Sequence, residues 1–187
     1  MTWPFGALRP LSYDLIMADP PWRFDLYSDA GEAKSPQAQY ATMTIAEIAA
    51  LPVSYLAAGD ALLWLWATHP MIDRQIEVCR AWGFRYATSG VWVKRTTGGA
   101  LSFGTGYRLR SASEPFLIGV IGNPKTARTV RTVVEGVARE HSRKPDEAYA
   151  AAEILMPGAR RADLFARQRR PGWDGWGNEI EKFEVVA

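Results

Sequence analysis

Asp19-Pro20-Pro21-Trp22 is the tetrapeptide of this chain whose residue types and order could do chemistry. Each proline ring locks its own φ, so the Asp19 carboxylate and the Pro20 carbonyl would be acceptors in fixed positions. Two such acceptors suit an exocyclic amine such as the N6 group of adenine, a poor nucleophile while its lone pair is delocalised into the ring. Taking one N–H each, they would favour a pyramidal nitrogen with its lone pair aimed at an electrophile. Trp22 would add a face on which an extruded base can stack. A strand ending in a plain turn begun by Asp19 accounts for the same four residues, and the tetrapeptide alone leaves both possibilities open.

The elements that must hold this loop are legible from apolar runs and breakers. Tyr13 to Ala18 reads as a buried strand that Pro20-Pro21 cannot continue, which puts Asp19 at a strand's carboxyl end, where open α/β sheets bind ligands. Ala61–Trp66, Tyr86–Lys94, Pro115–Ile121 and Arg161–Phe165 read as further strands. Thr44-Ile45-Ala46-Glu47 has capping-box spacing, and Ile45, Ile48, Ala49 and Leu56 predict a helix face running to Gly59. Pro70 opens a helix that Gly83 stops, and Pro145-Asp146-Glu147 opens another that Pro157-Gly158 ends. The tail from Pro171 to Asn178 is rich in glycine and tryptophan. Strands alternating with helices predict an α/β fold with a largely parallel sheet, in a single domain over residues 1–187. Segments 25–42 and 96–113 read as long loops, which in compact domains tend to carry function.

Composition narrows the partners. The only cysteine, Cys79, excludes an intrachain disulfide, and its spacing from His69 and His141 gives no zinc pattern, so no metal is expected. Neither a signal peptide nor a membrane-length apolar run is visible, which predicts a soluble, cytoplasmic protein without a membrane partner. The net charge of +2 hides an asymmetry: residues 80–170 hold 17 Lys/Arg against 7 Asp/Glu, a local balance of +10. Such a segment suits a polyanion, since phosphate neutralisation supplies most sequence-independent affinity for nucleic acid; a solvated basic face would leave the same count. Gly104-Thr105-Gly106 lacks the third glycine of a dinucleotide-binding loop, Leu109 standing there.

With the further motifs Tyr40-Ala41-Thr42-Met43, Leu63-Trp64-Leu65-Trp66, Trp82-Gly83-Phe84, Trp92-Val93-Lys94, Gly122-Asn123-Pro124, Lys144-Pro145-Asp146-Glu147, Leu164-Phe165-Ala166-Arg167 and Gly177-Asn178-Glu179, the chain resembles the MT-A70 adenine methyltransferases. The resemblance runs from Tyr13 to Glu179 and includes Asp19-Pro20-Pro21-Trp22 as the family's catalytic motif. It implies a Rossmann-like class I methyltransferase fold, S-adenosylmethionine as cofactor, and methyl transfer to adenine N6.

The same resemblance implies residue roles. Lys144 would hold the methionine carboxylate of the cofactor, at a helix N-terminus whose dipole adds to its charge. Arg167, Asn178 and Glu179 would bind the cofactor ribose, with Asp163 and Phe165 lining that strand end. Tyr40 falls in a loop that covers the base in relatives, and Glu114 corresponds to an acid of their adenine pocket. Lys94, Arg108 and Arg110 flank the second loop, where a phosphate backbone could be gripped. Met1 to Leu11 contains no acid, so the carboxylate that relatives place upstream for the cofactor adenine has no counterpart, leaving backbone groups for that contact. DNA is the expected substrate and RNA the alternative; a non-catalytic nucleic-acid-binding scaffold is the competing class. A second copy of the chain or a partner subunit is left open.

Overall fold

A computed structural model describes residues 2–23, 42–106, 108–140 and 143–183. Seven strands, β1 (Tyr13–Ala18), β2 (Ala57–Trp66), β3 (Arg85–Arg95), β4 (Ser113–Ile121), β5 (Val133–Val137), β6 (Arg161–Leu164) and β7 (Trp173–Trp176), form one sheet in the order β5-β3-β4-β2-β1-β6-β7. Every pairing is parallel except those of β4, which runs antiparallel to β2 and β3. This is the α/β, Rossmann-like methyltransferase architecture the sequence predicts.

The central strands are apolar throughout because both of their faces are covered. In β2, Ala61, Leu63 and Leu65 join one core with Ile48, Val78, Cys79 and Trp82, while Leu62, Trp64 and Trp66 join a second core with Ala148 and Ala152. Helices α1 (Ile45–Ala49) and α2 (Ile72–Ala81) thus cover one face, and α3 (Asp146–Leu155) covers part of the other.

Thr44 and Glu47 form the predicted capping box, with Thr44 N–H donating to Glu47 Oε2 at 2.8 Å and Glu47 N–H to Thr44 Oγ1 at 3.2 Å. The helix they start does not reach Gly59. It stops at Ala49 because Pro52 lacks the N–H that the next turn needs; a 3₁₀ turn at Val53–Leu56 follows, and β2 begins at Ala57. Trp82 Nε1 donates to the Ile48 carbonyl at 2.8 Å, a second bond to an acceptor that Leu51 N–H also reaches at 3.1 Å, and so ties the end of the short helix to the core.

Two strands, β5 and β7, were not legible as strands, and both lie at sheet edges. Val133-Val134-Glu135-Gly136-Val137 and Trp173-Asp174-Gly175-Trp176 each carry an acid and a glycine, poor strand formers that pairing with a neighbour overrides. Gly136 has a packing reason: a Cβ there would lie 2.9 Å from Pro145 Cβ and 2.9 Å from Glu147 Oε2. Its bare backbone lets the start of α3 sit against the sheet. No helix among the described residues is long and apolar enough to cross a membrane.

Candidate active site

Strand β1 is followed in sequence by β2 on one side and flanked by β6 on the other, so the chain's direction of winding changes at β1. A crevice opens at the carboxyl end of a strand so placed. Asp19 stands there, its N–H donating to the Leu164 carbonyl at the end of β6 at 3.2 Å.

The proline loop is anchored into the core. Trp22 is only 4% exposed, its ring packs in the first core, and its Nε1 donates to the Trp66 carbonyl at 3.1 Å. The open stacking face expected of Trp22 is therefore absent; the indole is the loop's anchor, since an amphipathic ring buries well once its N–H finds an acceptor. Trp22 N–H also donates to the Pro20 carbonyl at 2.8 Å, and the Pro21 carbonyl accepts from Met43 N–H at 2.9 Å. Among the described residues the Pro20 carbonyl takes no other hydrogen bond, which leaves its second lone pair.

Lys144, just before α3, reaches across to this loop. Its Nζ lies 2.7 Å from Asp19 Oδ2 and 2.9 Å from Glu114 Oε1, and the ammonium sits 5.4 Å from the Trp66 ring centre. Glu114 Oε2 takes a second cation, Lys94 Nζ, at 2.7 Å, and Lys94 in turn lies over the Trp92 ring. Burial pushes the Glu114 carboxyl up, but Lys144 and Lys94 overcome it and hold its pKa at about 2. Burial likewise opposes charge on Lys144, and Asp19 and Glu114 outweigh it, raising its pKa. Asp19 is raised: burial pushes it up, Lys144 pulls it back, and the Glu114 charge pushes it up again. Glu114, expected to face an adenine ring, has both oxygens taken by lysines and acts as the counter-ion that fixes Lys144.

From Asp19 a cleft runs along the end of β6, lined by Lys144, Asp163, Phe165, Arg167, Gln168 and Arg170. Phe165 has φ 61°, a conformation costly for a residue with a Cβ, of the kind that clusters at functional sites. The tail crosses tightly above it: a Cβ on Gly177 would lie 2.6 Å from the Ala166 carbonyl oxygen. Asp163 is buried and accepts from Tyr149 Oη at 2.9 Å, while the Arg170 guanidinium lies 3.7 Å from the Tyr149 ring centre. Burial raises the Asp163 carboxyl to about 7, more than the Tyr149 hydrogen bond and Arg170 lower it. Arg167 Nε pairs with Glu179 at 3.4 Å, and Asn178 is exposed on the crossing tail.

The crevice thus brings together Asp19, Lys144, Glu114, Asp163, Phe165 and Arg167, with Glu179 on its rim. Arg108 and Arg110 lie apart, exposed on the loop between β3 and β4, and Tyr40 lies outside the described residues. Tyr149, Gln168 and Arg170 were missed by sequence reasoning. Their one available signal is adjacency: Gln168 follows Arg167, and Tyr149 lies on the helix that Lys144 precedes. Gln168 lines the cleft, and its Oε1 is buried with no donor among the described residues. A second cavity, of about 310 Å³, lies elsewhere, between Trp64, Phe116, Ile118, Thr132 and Leu155 on the half of the sheet remote from Asp19. Its lining carries none of the predicted site residues.

Comparison with known proteins gives a match to the MT-A70 family model over residues 13–179. The chain is 33% identical over 180 residues to the N(6)-adenosine-methyltransferase MT-A70-like of Arabidopsis thaliana, covering 94% of this chain and 25% of the relative. It is 30% identical to the type II methyltransferase M.MunI of a Mycoplasma species, covering 97% of this chain and 84% of the relative. To the human N(6)-adenosine-methyltransferase catalytic subunit METTL3 it is 30% identical, covering 93% and 29%. The chain spans about a quarter of the length of the plant relatives it matches.

Proposed function

Because the chain belongs to the MT-A70 family, whose methyl donor is S-adenosylmethionine, we propose that it transfers a methyl group from that cofactor to the N6 amine of adenine in DNA. The observation that carries this is the buried contact between Asp19 and Lys144, which places a carboxylate able to hold an amine beside a cation able to hold a carboxylate. Bound S-adenosylmethionine supplies an electrophilic methyl carbon on a sulfonium. The polar groups in and beside the crevice suit the rest of that molecule: Lys144 for its carboxylate, and Arg167 and Gln168 in the lining, with Asn178 and Glu179 on the crossing tail, for the ribose hydroxyls.

Lys144 occupies Asp19 Oδ2, which leaves Oδ1 to accept one N6–H, and the second lone pair of Pro20 accepts the other. Held by both, the amine is turned out of conjugation and becomes nucleophilic along one direction. Nitrogen–carbon bond formation makes the N6 proton acidic, so no strong base is required, and the raised pKa of Asp19 suits it to receive that proton. Glu114 keeps Lys144 charged and aimed.

DNA is favoured because M.MunI, the relative matched over most of its own length, is a type II methyltransferase. The adenosine-methyltransferase name of the human relative favours RNA, on a match to 29% of that protein. The test is to incubate the purified chain with isotopically labelled S-adenosylmethionine and, separately, duplex DNA, single-stranded DNA and RNA, and to quantify N6-methyladenine by mass spectrometry, with Asp19→Ala as control. Label in DNA that the variant loses is the expected result. Label in RNA alone would overturn the DNA assignment, and no cofactor binding at all would leave a scaffold.

A further inference from the structure

Strands β3 and β4 continue past the sheet as a structured hairpin. Lys94 N–H donates to the Ala112 carbonyl at 2.9 Å, Ser102 N–H to the Lys94 carbonyl at 2.9 Å and Gly104 N–H to the Ser111 carbonyl at 2.8 Å. The extension leaves the sheet at its Asp19 end, since the Pro115 carbonyl accepts from Ala67 N–H just beyond β2. Its root is tied to the site: Lys94 and Glu114 face each other across the hairpin, and Glu114 also holds Lys144.

At its tip the loop presents what soluble surfaces normally hide. Phe103 is 83% exposed and Leu109 85%, with Leu101 also exposed beside them. The Arg110 guanidinium stands 5.7 Å from the Phe103 ring centre. Lys94, Arg95, Arg108 and Arg110 are the charged residues of segment 94–113, which holds no acid. Apolar side chains flanked only by cations complement a step of stacked bases flanked by phosphates. A base reached in a duplex must leave the stack, at a cost of unstacking and unpairing.

Resting on the DNA reading above, we propose that Phe103, seconded by Leu109, is a wedge that enters the duplex beside the target adenine and fills the stack as the base turns out toward Asp19. Arg108 and Arg110 hold the flanking phosphates, and the ring supplies the stacking surface that the departed base gives up.

The test compares initial methylation rates of the full chain, Phe103→Ala and Leu109→Ala on a randomised-sequence duplex and on the same DNA as single strands. Both positions are exposed, so thermal midpoints should coincide. In Phe103→Ala the ratio of duplex to single-strand rate falls roughly tenfold, the scale of one base–aromatic stack, and recovers when adenines are mispaired with cytosine and already loosened. An unchanged ratio in an active enzyme overturns the wedge alone, as does equal loss on both substrates. A change from dimer to monomer in sedimentation on Phe103→Ala also overturns it and makes the tip a contact between copies. Failure of the unsubstituted chain to methylate any DNA overturns the DNA reading and the wedge with it.

Discussion

Replacing Lys144 by methionine removes the ammonium and keeps most of the side-chain volume, so it isolates the charge. That charge is buried, with its side chain 7% exposed, and its two carboxylate partners lie at 2.7 and 2.9 Å. In the proposed complex the same ammonium meets the cofactor's carboxylate, a charge-assisted hydrogen bond worth about 1.5–3 kcal/mol. The expected loss is therefore about 10- to 150-fold in Kd for S-adenosylhomocysteine, measured by calorimetry. 5′-Methylthioadenosine has no carboxylate and should bind both proteins alike, which separates a lost contact from a disturbed cleft. Removing one partner of a buried pair costs about 3–5 kcal/mol of stability. The loss should fall at the low end, because Glu114 retains Lys94 at 2.7 Å, and binding is to be measured well below the lowered melting point. An equal loss for both ligands, or less than about a threefold loss for S-adenosylhomocysteine, would refute the assignment of Lys144.

Asp19→Asn should slow methyl transfer by at least about a hundredfold, as loss of a preorganised partner of the reacting group does, without weakening S-adenosylhomocysteine; weakened binding would make Asp19 a cofactor residue instead. Trp22→Ala should cost about 3–5 kcal/mol in denaturant unfolding, and Trp22→Phe about 1 kcal/mol, the indole hydrogen bond; a neutral Trp22→Ala would show that the ring does not anchor the loop. For Asp163 the folded carboxyl titrates near 7 and the unfolded one near 3.8. The folded state keeps a proton that the unfolded state releases across that interval, so stability falls as pH rises from about 4 to about 7 and then levels off. Asp163→Asn should flatten this slope by up to a few kcal/mol, and parallel pH profiles for the two proteins would contradict a protonated Asp163.

What could be read in the sequence was what local chemistry determines. The Tyr13–Ala18 run, the double proline and the Lys144-Pro145-Asp146 helix start each carry their own signal, and the structure places all three where those signals put them. Pro52 was within view as well, yet the apolar spacing through Leu56 masked its effect on α1. The edge strands β5 and β7 could not be read, because Gly136 and Gly175 serve close packing rather than strand propensity. Nor does any spacing announce that Glu114 would spend both oxygens on Lys94 and Lys144, or that Trp22 would bury its ring: those outcomes depend on which strands become neighbours. Tyr149 was invisible for the same reason, its partner Asp163 arriving from a strand beyond the helix.

Strand β1 gains its two neighbours at very different times. During synthesis β2, at Ala57–Trp66, is the next strand to emerge, whereas β6, at Arg161–Leu164, follows only after β3, β4, β5 and α3. Until then one edge of β1 stays open, a surface prone to mispairing, and the Asp19 N–H lacks the Leu164 carbonyl. A ribosome-bound chain halted before Arg161 should hold most of the sheet and yet no crevice, so the site is completed in a single step, when β6 docks on β1.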